Sequence, residues 1–219
     1  MHHFKGAIFD MDGTLLDSMP VWDRLSERYL SRFGIRVAER DYAAIEGMTQ
    51  MQAAQYFIDA YPALPMDAQT LAQGLDELID ARYEALARPR DGVLHLLDAL
   101  RERGIGMAVA TLTARRHAEK ALRAHGMLDY FRFLLTIEDV GVSKRQPDIY
   151  LHAAGRLGLT PTECIVFEDA PYACTTAQRA GFTVCGMAEP AYAAGVCETR
   201  RASTFFVEHS FDELWGKML

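Results

Sequence analysis

From residue 92 to residue 187, short apolar runs alternate with amphipathic segments of helical period, and each of those segments ends at a glycine. The runs 105–111, 133–136, 163–169 and 182–187 have the length and apolar character of buried strands. The segments 92–103, 114–125, 147–157 and 171–180 are followed by Gly104, Gly126, Gly158 and Gly181, and glycine accepts the left-handed backbone that closes a helix. Strands separated by helices pair in parallel, because each helix returns the chain to the same edge of the sheet. A parallel sheet is covered on both faces, which suits runs that do not alternate with polar residues. The run 6–10 adds one more buried strand, and 205–207 an edge strand before a short C-terminal helix. The expectation is an α/β protein with a three-layer α/β/α core.

Between Pro20 and Arg88 the character changes. Amphipathic segments over 20–33, 39–45, 49–60 and 67–87, broken at Gly34, Gly47 and Tyr61-Pro62, read as helices with no convincing strand among them. They form a small all-helical insertion after the first strand. The division is a core of 1–15 and 88–219 with a helical domain of 16–87. A net charge of −7 and the lack of a long basic run argue against nucleic acid as a partner. No apolar stretch approaches the ~18 residues of a membrane span, and the N-terminus lacks the pattern of a signal peptide. Cys164, Cys174, Cys185 and Cys197 show no metal-ligand spacing, so they read as reduced thiols of a cytoplasmic protein. His2-His3 reads as a frayed terminus rather than a metal site.

Sites in open parallel sheets lie at the carboxyl ends of the strands. The first strand ends at Asp10, with Asp12 in the loop that follows. The second ends at Thr111, the loop after 133–136 carries Lys144, and 163–169 ends at Glu168-Asp169. Two carboxylates so close at the end of a buried strand repel one another, and a cation is the simplest compensation. Asp10 and Asp169, with a backbone carbonyl near Asp12, offer a hard oxygen set of the kind Mg²⁺ takes. Glu168 reaches the same ion through a water or orients Asp169. With the repulsion removed, Asp10 is a nucleophile toward phosphorus, and Asp12 can protonate the leaving group and later deprotonate water. Thr111 and Lys144 would bind phosphoryl oxygens, and the Asp12 and Gly13 amides would cradle an anion. Taken singly, Asp10 and Asp12 also read as helix-capping or turn acids, and Lys144 more often as a solvated side chain. Thr113 either touches substrate or N-caps the 114–125 helix, and Arg115 either grips a second anionic group or lies on a solvated face.

FDMDGTLLDS resembles the first motif of the haloacid dehalogenase superfamily of phosphohydrolases. AVATLT (108–113), SKRQPD (143–148) and IVFEDAP (165–171) resemble the other three, in order and spacing over nearly the whole chain. The helical block is similar to the cap of the subgroup that holds beta-phosphoglucomutase and many sugar-phosphate phosphatases. The resemblance implies a Rossmann-like core, a mobile cap, Mg²⁺ as cofactor, and Asp10 as the phosphorylated residue. Such caps place a turn over the substrate, here Ile45-Glu46-Gly47-Met48, and Glu46 would disfavour a second phosphate while tolerating sugar hydroxyls. Leu112 departs from the family pattern, as do Arg145-Gln146, Ala170 and Ala173. These departures bear on the substrate that lies against the loop and remove no catalytic group. Dehalogenation needs no acid at position 12, and phosphonate cleavage needs a cap lysine, whereas no lysine lies between Lys5 and Lys120. The reading is an Mg²⁺-dependent phosphomonoesterase of a small phosphorylated metabolite, a sugar phosphate by preference, working as a monomer or weak homodimer. A phosphomutase of the beta-phosphoglucomutase type and a non-catalytic phosphate- or partner-binding module are the alternatives.

Overall fold

The computed structural model of the protein describes residues 4–45 and 48–218. Strand β1 (Gly6–Phe9) is followed by a short antiparallel pair, β2 (Leu16–Asp17) with β3 (Arg88–Pro89), in which Leu16 faces Pro89. The remaining strands are β4 (Gly106–Ala110), β5 (Leu134–Leu135), β6 (Cys164–Glu168), β7 (Thr183–Met187) and β8 (Phe205–Val207). They join β1 in one six-stranded sheet of order β5-β4-β1-β6-β7-β8, parallel throughout. This is the Rossmann-like α/β architecture. The strand order reverses about β1, since the chain runs outward through β4 and β5 and then returns to β6 on the other side. Crevices form at such a switch point, above the carboxyl ends of the strands.

The chain divides into two compact units, Met1–Asp17 with Arg88–Leu219, and Ser18–Ala87. The second unit is helical: α1 (Met19–Trp22), α2 (Leu25–Leu30), α3 (Glu39–Ile45), α4 (Gln50–Ala60) and α5 (Ala68–Leu86). The first carries α6 (Val93–Glu102), α7 (Arg115–Ala124), α8 (Ile137–Val140), α9 (Asp148–Leu157), α10 (Pro171–Arg179) and α11 (Val196–Ala202). One face of the sheet buries Ile8, Ala108, Ala110 and Val166 against Ile149, Tyr150 and Ala153 of α9 and Cys174 and Ala177 of α10. On the alternate positions Phe9 stacks on Phe167 at 4.3 Å, with Phe131 and Phe211 edge-on to the pair. Small side chains facing α9 and aromatic ones on the other face are what a period of two delivers in a sheet covered on both sides.

Three local features differ from the sequence pattern. The helix expected over 20–33 is broken after Trp22, and Arg24 is the one described non-glycine residue with positive φ, 46°. The break is stabilised from α5, where Arg82 Nε donates to the carbonyl of Val21 at 2.6 Å and its Nη2 to that of Pro20. Those carbonyls need no continuing helix to satisfy them. The turn α8 follows Thr136, whose backbone N–H and hydroxyl both donate to Asp139, at 2.7 and 3.0 Å. The segment 190–202, between the expected strands 182–187 and 205–207, is a 3₁₀ turn leading into α11. His2-His3 and the Glu46-Gly47 turn lie outside the described residues. No described helix is long and apolar enough to cross a membrane.

Candidate active site

At the switch point β1 leads directly into Asp10 and β4 into Thr111, and β6 ends on Glu168 with Asp169 next. After β1 the backbone N–H of Asp10 still donates to the carbonyl of Phe167, at 3.0 Å, so the carboxylate leaves the sheet at the last paired position. The chain then turns tightly, with Gly13 N–H donating to Leu16 O at 2.8 Å and Leu16 N–H to Met11 O at 2.9 Å. Gly13 has φ +83°, and a Cβ there would stand 2.2 Å from Asp169 Oδ2. Only glycine lets this loop pass so near that carboxylate. Thr14 donates its hydroxyl to the other oxygen, Asp169 Oδ1, at 3.2 Å.

Asp10, Glu168 and Asp169 are buried, and one oxygen from each lies within 4.8 Å of the others. Lys144 is buried among them and donates from Nζ to Asp10 Oδ1 and to Glu168 Oε1. Tyr150, from the first turns of α9, donates its hydroxyl to Glu168 Oε1 at 2.7 Å. Glu168 Oε2 accepts from the N–H groups of Asp169 and Ala170, at 3.1 and 3.3 Å. Glu168 is therefore fully engaged by protein donors. Asp169 Oδ2, by contrast, is buried with no hydrogen-bond partner. Burial above all raises the Asp10 carboxyl, to about 8, and the negative Glu168 and Asp12 add to this while Lys144 opposes it. Burial, and after it the negative Asp10 and Glu168, hold Asp169 well above the usual carboxylate range. Lys144 feels burial as its largest influence, which disfavours its charge, yet Asp10 and Glu168 together raise it above an ordinary lysine.

Three carboxyl groups against one ammonium, with one carboxylate oxygen orphaned, is a centre short of positive charge. Such a deficit suits a hard divalent cation with oxygen ligands. Asp10 and Asp169 would hold it directly, with Glu168 at its edge.

The remaining candidates separate into groups. Thr111 is buried at the end of β4, where its N–H donates to Leu135 O at 3.0 Å and its Oγ1 accepts from Thr113 N–H at 3.1 Å. The Asp12 carboxylate is outside the acidic cluster, and its Oδ2 accepts from Thr113 Oγ1 at 2.6 Å. Helix α7 begins at Arg115 with Ala114, rather than Thr113, at the N-cap position, and the Arg115 N–H donates to Glu138 Oε2 at 3.3 Å. Leu112 lies between the two threonines in this loop. Arg115 is drawn away from the acids, donating to both oxygens of Asp139 at 3.0 and 2.8 Å and to Leu134 O at 3.3 Å. Glu46 and Gly47 are outside the described residues.

Residues without a sequence signal also reach the site. Arg90, just past β3, donates from Nε to Gly13 O at 3.0 Å and pairs with buried Glu189, whose Oε1 accepts from Ala191 N–H at 3.0 Å. This pair pins the loop that carries Asp12 from below. Tyr150, Arg90 and Glu189 come from three segments, and nothing local distinguishes them from ordinary surface or core residues, whereas Thr14 stands within the motif FDMDGTLLDS.

A family model of haloacid dehalogenase-like hydrolases matches residues 4–181. The chain belongs to that family. Among curated relatives, the fructose-1-phosphate phosphatase YqaB of Escherichia coli strain K12 is 31% identical over 180 residues, covering 81% of this chain and 93% of its own. Hexitol phosphatase A of the same strain is 32% identical over 187 residues, covering 85% of this chain and 84% of its own. Among solved structures, the beta-phosphoglucomutase of Clostridium difficile superposes with a TM-score of 0.77 at 18% identity, over 97% of this chain and 96% of that one. At that identity the likeness concerns the fold.

Proposed function

We propose that this chain is an Mg²⁺-dependent phosphomonoesterase that takes a small phosphorylated metabolite of the sugar-phosphate class through an aspartyl-phosphate on Asp10. The observation that carries this reading is the buried set Asp10, Lys144, Glu168 and Asp169 at the ends of β1 and β6, with Asp12 two residues from the nucleophile. The relatives named above support the ester class, since both are phosphatases of phosphorylated carbohydrates or hexitols by name.

In this reading an Asp10 oxygen attacks phosphorus while the bond to the ester oxygen breaks. The electron pair leaves with that oxygen, which takes a proton from Asp12. Lys144 and the Thr111 hydroxyl hold phosphoryl oxygens, and Lys144 offsets charge that builds in transfer. Water then attacks the aspartyl-phosphate, its proton goes to Asp12, and phosphate leaves with Asp10 restored. A bound divalent cation supplies charge neutralisation among the acids and polarisation of a phosphoryl oxygen. The helical unit Ser18–Ala87 serves as the cap that selects substrate, the usual task of a lid. The four cysteines are free thiols, which supports a cytoplasmic setting.

The test is phosphate release from a panel of sugar phosphates, nucleotides and p-nitrophenyl phosphate, with and without Mg²⁺. Mg²⁺-dependent release, strongest with sugar phosphates, is the expected result. No release from any ester by a protein that binds Mg²⁺ would overturn the reading.

A further inference from the structure

We propose that Thr113 is a positioning residue that fixes which Asp12 oxygen exchanges protons with the substrate. The proposal rests on the phosphomonoesterase reading. It gives Thr113 a different task from the substrate contact or helix cap that its place in the sequence suggests.

Three observations carry it. The hydroxyl of Thr113 is buried and lies 2.6 Å from Asp12 Oδ2, short for a hydroxyl–carboxylate bond and typical of one to a charged acceptor. The helix that follows has Ala114, not Thr113, at its N-cap, and its first N–H donates to Glu138 Oε2 at 3.3 Å. The Thr113 N–H donates to Thr111 Oγ1 at 3.1 Å. That lone pair of Thr111 is taken by the main chain, and its hydroxyl proton is directed elsewhere. One residue therefore touches the proton-transfer group through its side chain and the phosphoryl-binding hydroxyl through its backbone. The β-branched side chain adds stiffness, since threonine has few rotamers to choose from.

While Asp12 is a carboxylate, Thr113 Oγ1–H donates to Oδ2, and we assign to Oδ1, the oxygen left over, the exchange of the proton with the ester oxygen. As the bond from phosphorus to the ester oxygen breaks, that oxygen takes the electron pair and the Oδ1 proton, and Asp12 becomes a carboxylate. The hydrogen bond to Oδ2 strengthens as this negative charge appears, which lowers the barrier rather than the energy of the bound ester. When water attacks the phosphorus of the aspartyl-phosphate, its proton returns to Oδ1 and the bond to Asp10 breaks. Positioned proton transfer contributes roughly 10²- to 10⁴-fold. Losing the group that aims it should cost part of this, most where the leaving oxygen needs the proton.

The experiment compares Thr113→Val and Thr113→Ser with wild type on two esters. One is an alkyl ester, a sugar phosphate hydrolysed by the wild type. The other is p-nitrophenyl phosphate, whose leaving group departs readily as the anion. The quantity is kcat/KM, which reports steps up to leaving-group departure. Thr113→Val should lower it about tenfold or more for the sugar phosphate and about twofold or less for p-nitrophenyl phosphate. For the sugar phosphate the loss should fall in kcat, with KM nearly unchanged. Thr113→Ser keeps the donor and should recover most of the loss. Its melting temperature, and that of Thr113→Val, should match wild type closely enough to show a folded core. Equal losses on both esters, a loss confined to KM, or no recovery by Thr113→Ser would overturn the assignment. A wild type that releases phosphate from no ester would instead overturn the phosphomonoesterase reading, and this assignment with it.

Discussion

The orphaned oxygen of Asp169 makes a prediction that runs against ordinary expectation for a buried active-site residue. Asp169→Asn should stabilise the metal-free protein. The side chain is buried, Oδ2 has no partner, and carboxyl oxygens of Asp10 and Glu168 lie within 4.8 Å. Like charges at roughly 5 Å repel by about 3 kcal/mol at the effective dielectric of a protein site. Partial protonation relieves some of this in the wild type. Asparagine keeps the shape, removes the charge and brings a donor toward its acidic neighbours. The expected gain at pH 8 in a chelator is about 1–3 kcal/mol, a rise in melting temperature of about 2–12 °C for a chain of this size. The sign with pH can be worked out. Burial, then the acidic neighbours, lifts Asp10 from 3.8 to about 8 and Asp169 well above its ordinary value. The folded chain thus binds protons that the unfolded chain has released, and the wild type loses stability as pH rises through that window. The advantage of Asp169→Asn should accordingly shrink at pH 5. Mg²⁺ should reverse the order, because the wild type gains about 2.7 kcal/mol at a hundredfold excess over Kd and the variant gains little. Thermal unfolding followed by circular dichroism at both pH values, with chelator and with Mg²⁺, gives all four numbers. A variant less stable than wild type in chelator at pH 8, or one that gains as much from Mg²⁺, would refute the reasoning.

Two further changes probe the loop that carries Asp12. Arg90→Met removes the partner of buried Glu189 and the donor to Gly13 O. It should cost about 3–5 kcal/mol in urea unfolding, the usual penalty for leaving a buried charge unpaired; a cost below about 1 kcal/mol would show that the pair does not hold the loop. Gly13→Ala places a methyl group 2.2 Å from Asp169 Oδ2 at a backbone φ of +83°. It should lower turnover about a hundredfold, as ångström-scale misplacement does, and weaken the Mg²⁺-induced rise in melting temperature. Unchanged turnover would show that the close approach has no bearing on the site.

Much of the site was legible because strand ends are legible. Asp10, Thr111 and Glu168-Asp169 each terminate an apolar run, and a parallel sheet gathers such ends at one edge. Lys144 was readable from its place in the loop after β5. The groups that were not legible depend on tertiary packing rather than local pattern. Tyr150 reaches Glu168 because α9 crosses the sheet beneath it. Arg90 finds Gly13 and Glu189 only once β3 pairs with β2. The break after Trp22 was invisible for the same reason, since Arg82 supplies the donors from α5. Arg115 carried a charge pattern that suited an anion, yet Asp139 of an unforeseen short helix takes its guanidinium.

The central claim is that Asp10 carries the phosphoryl group, and it can be tested by trapping that group. The protein would be mixed with a sugar phosphate it hydrolyses in the presence of Mg²⁺, quenched in acid during turnover, digested and mapped by mass spectrometry. The account predicts one phosphoryl group on the peptide containing Asp10, accumulating further in Asp12→Asn and absent, together with turnover, in Asp10→Asn. Turnover that persists in Asp10→Asn, or a phosphoryl group found on another residue, would contradict it.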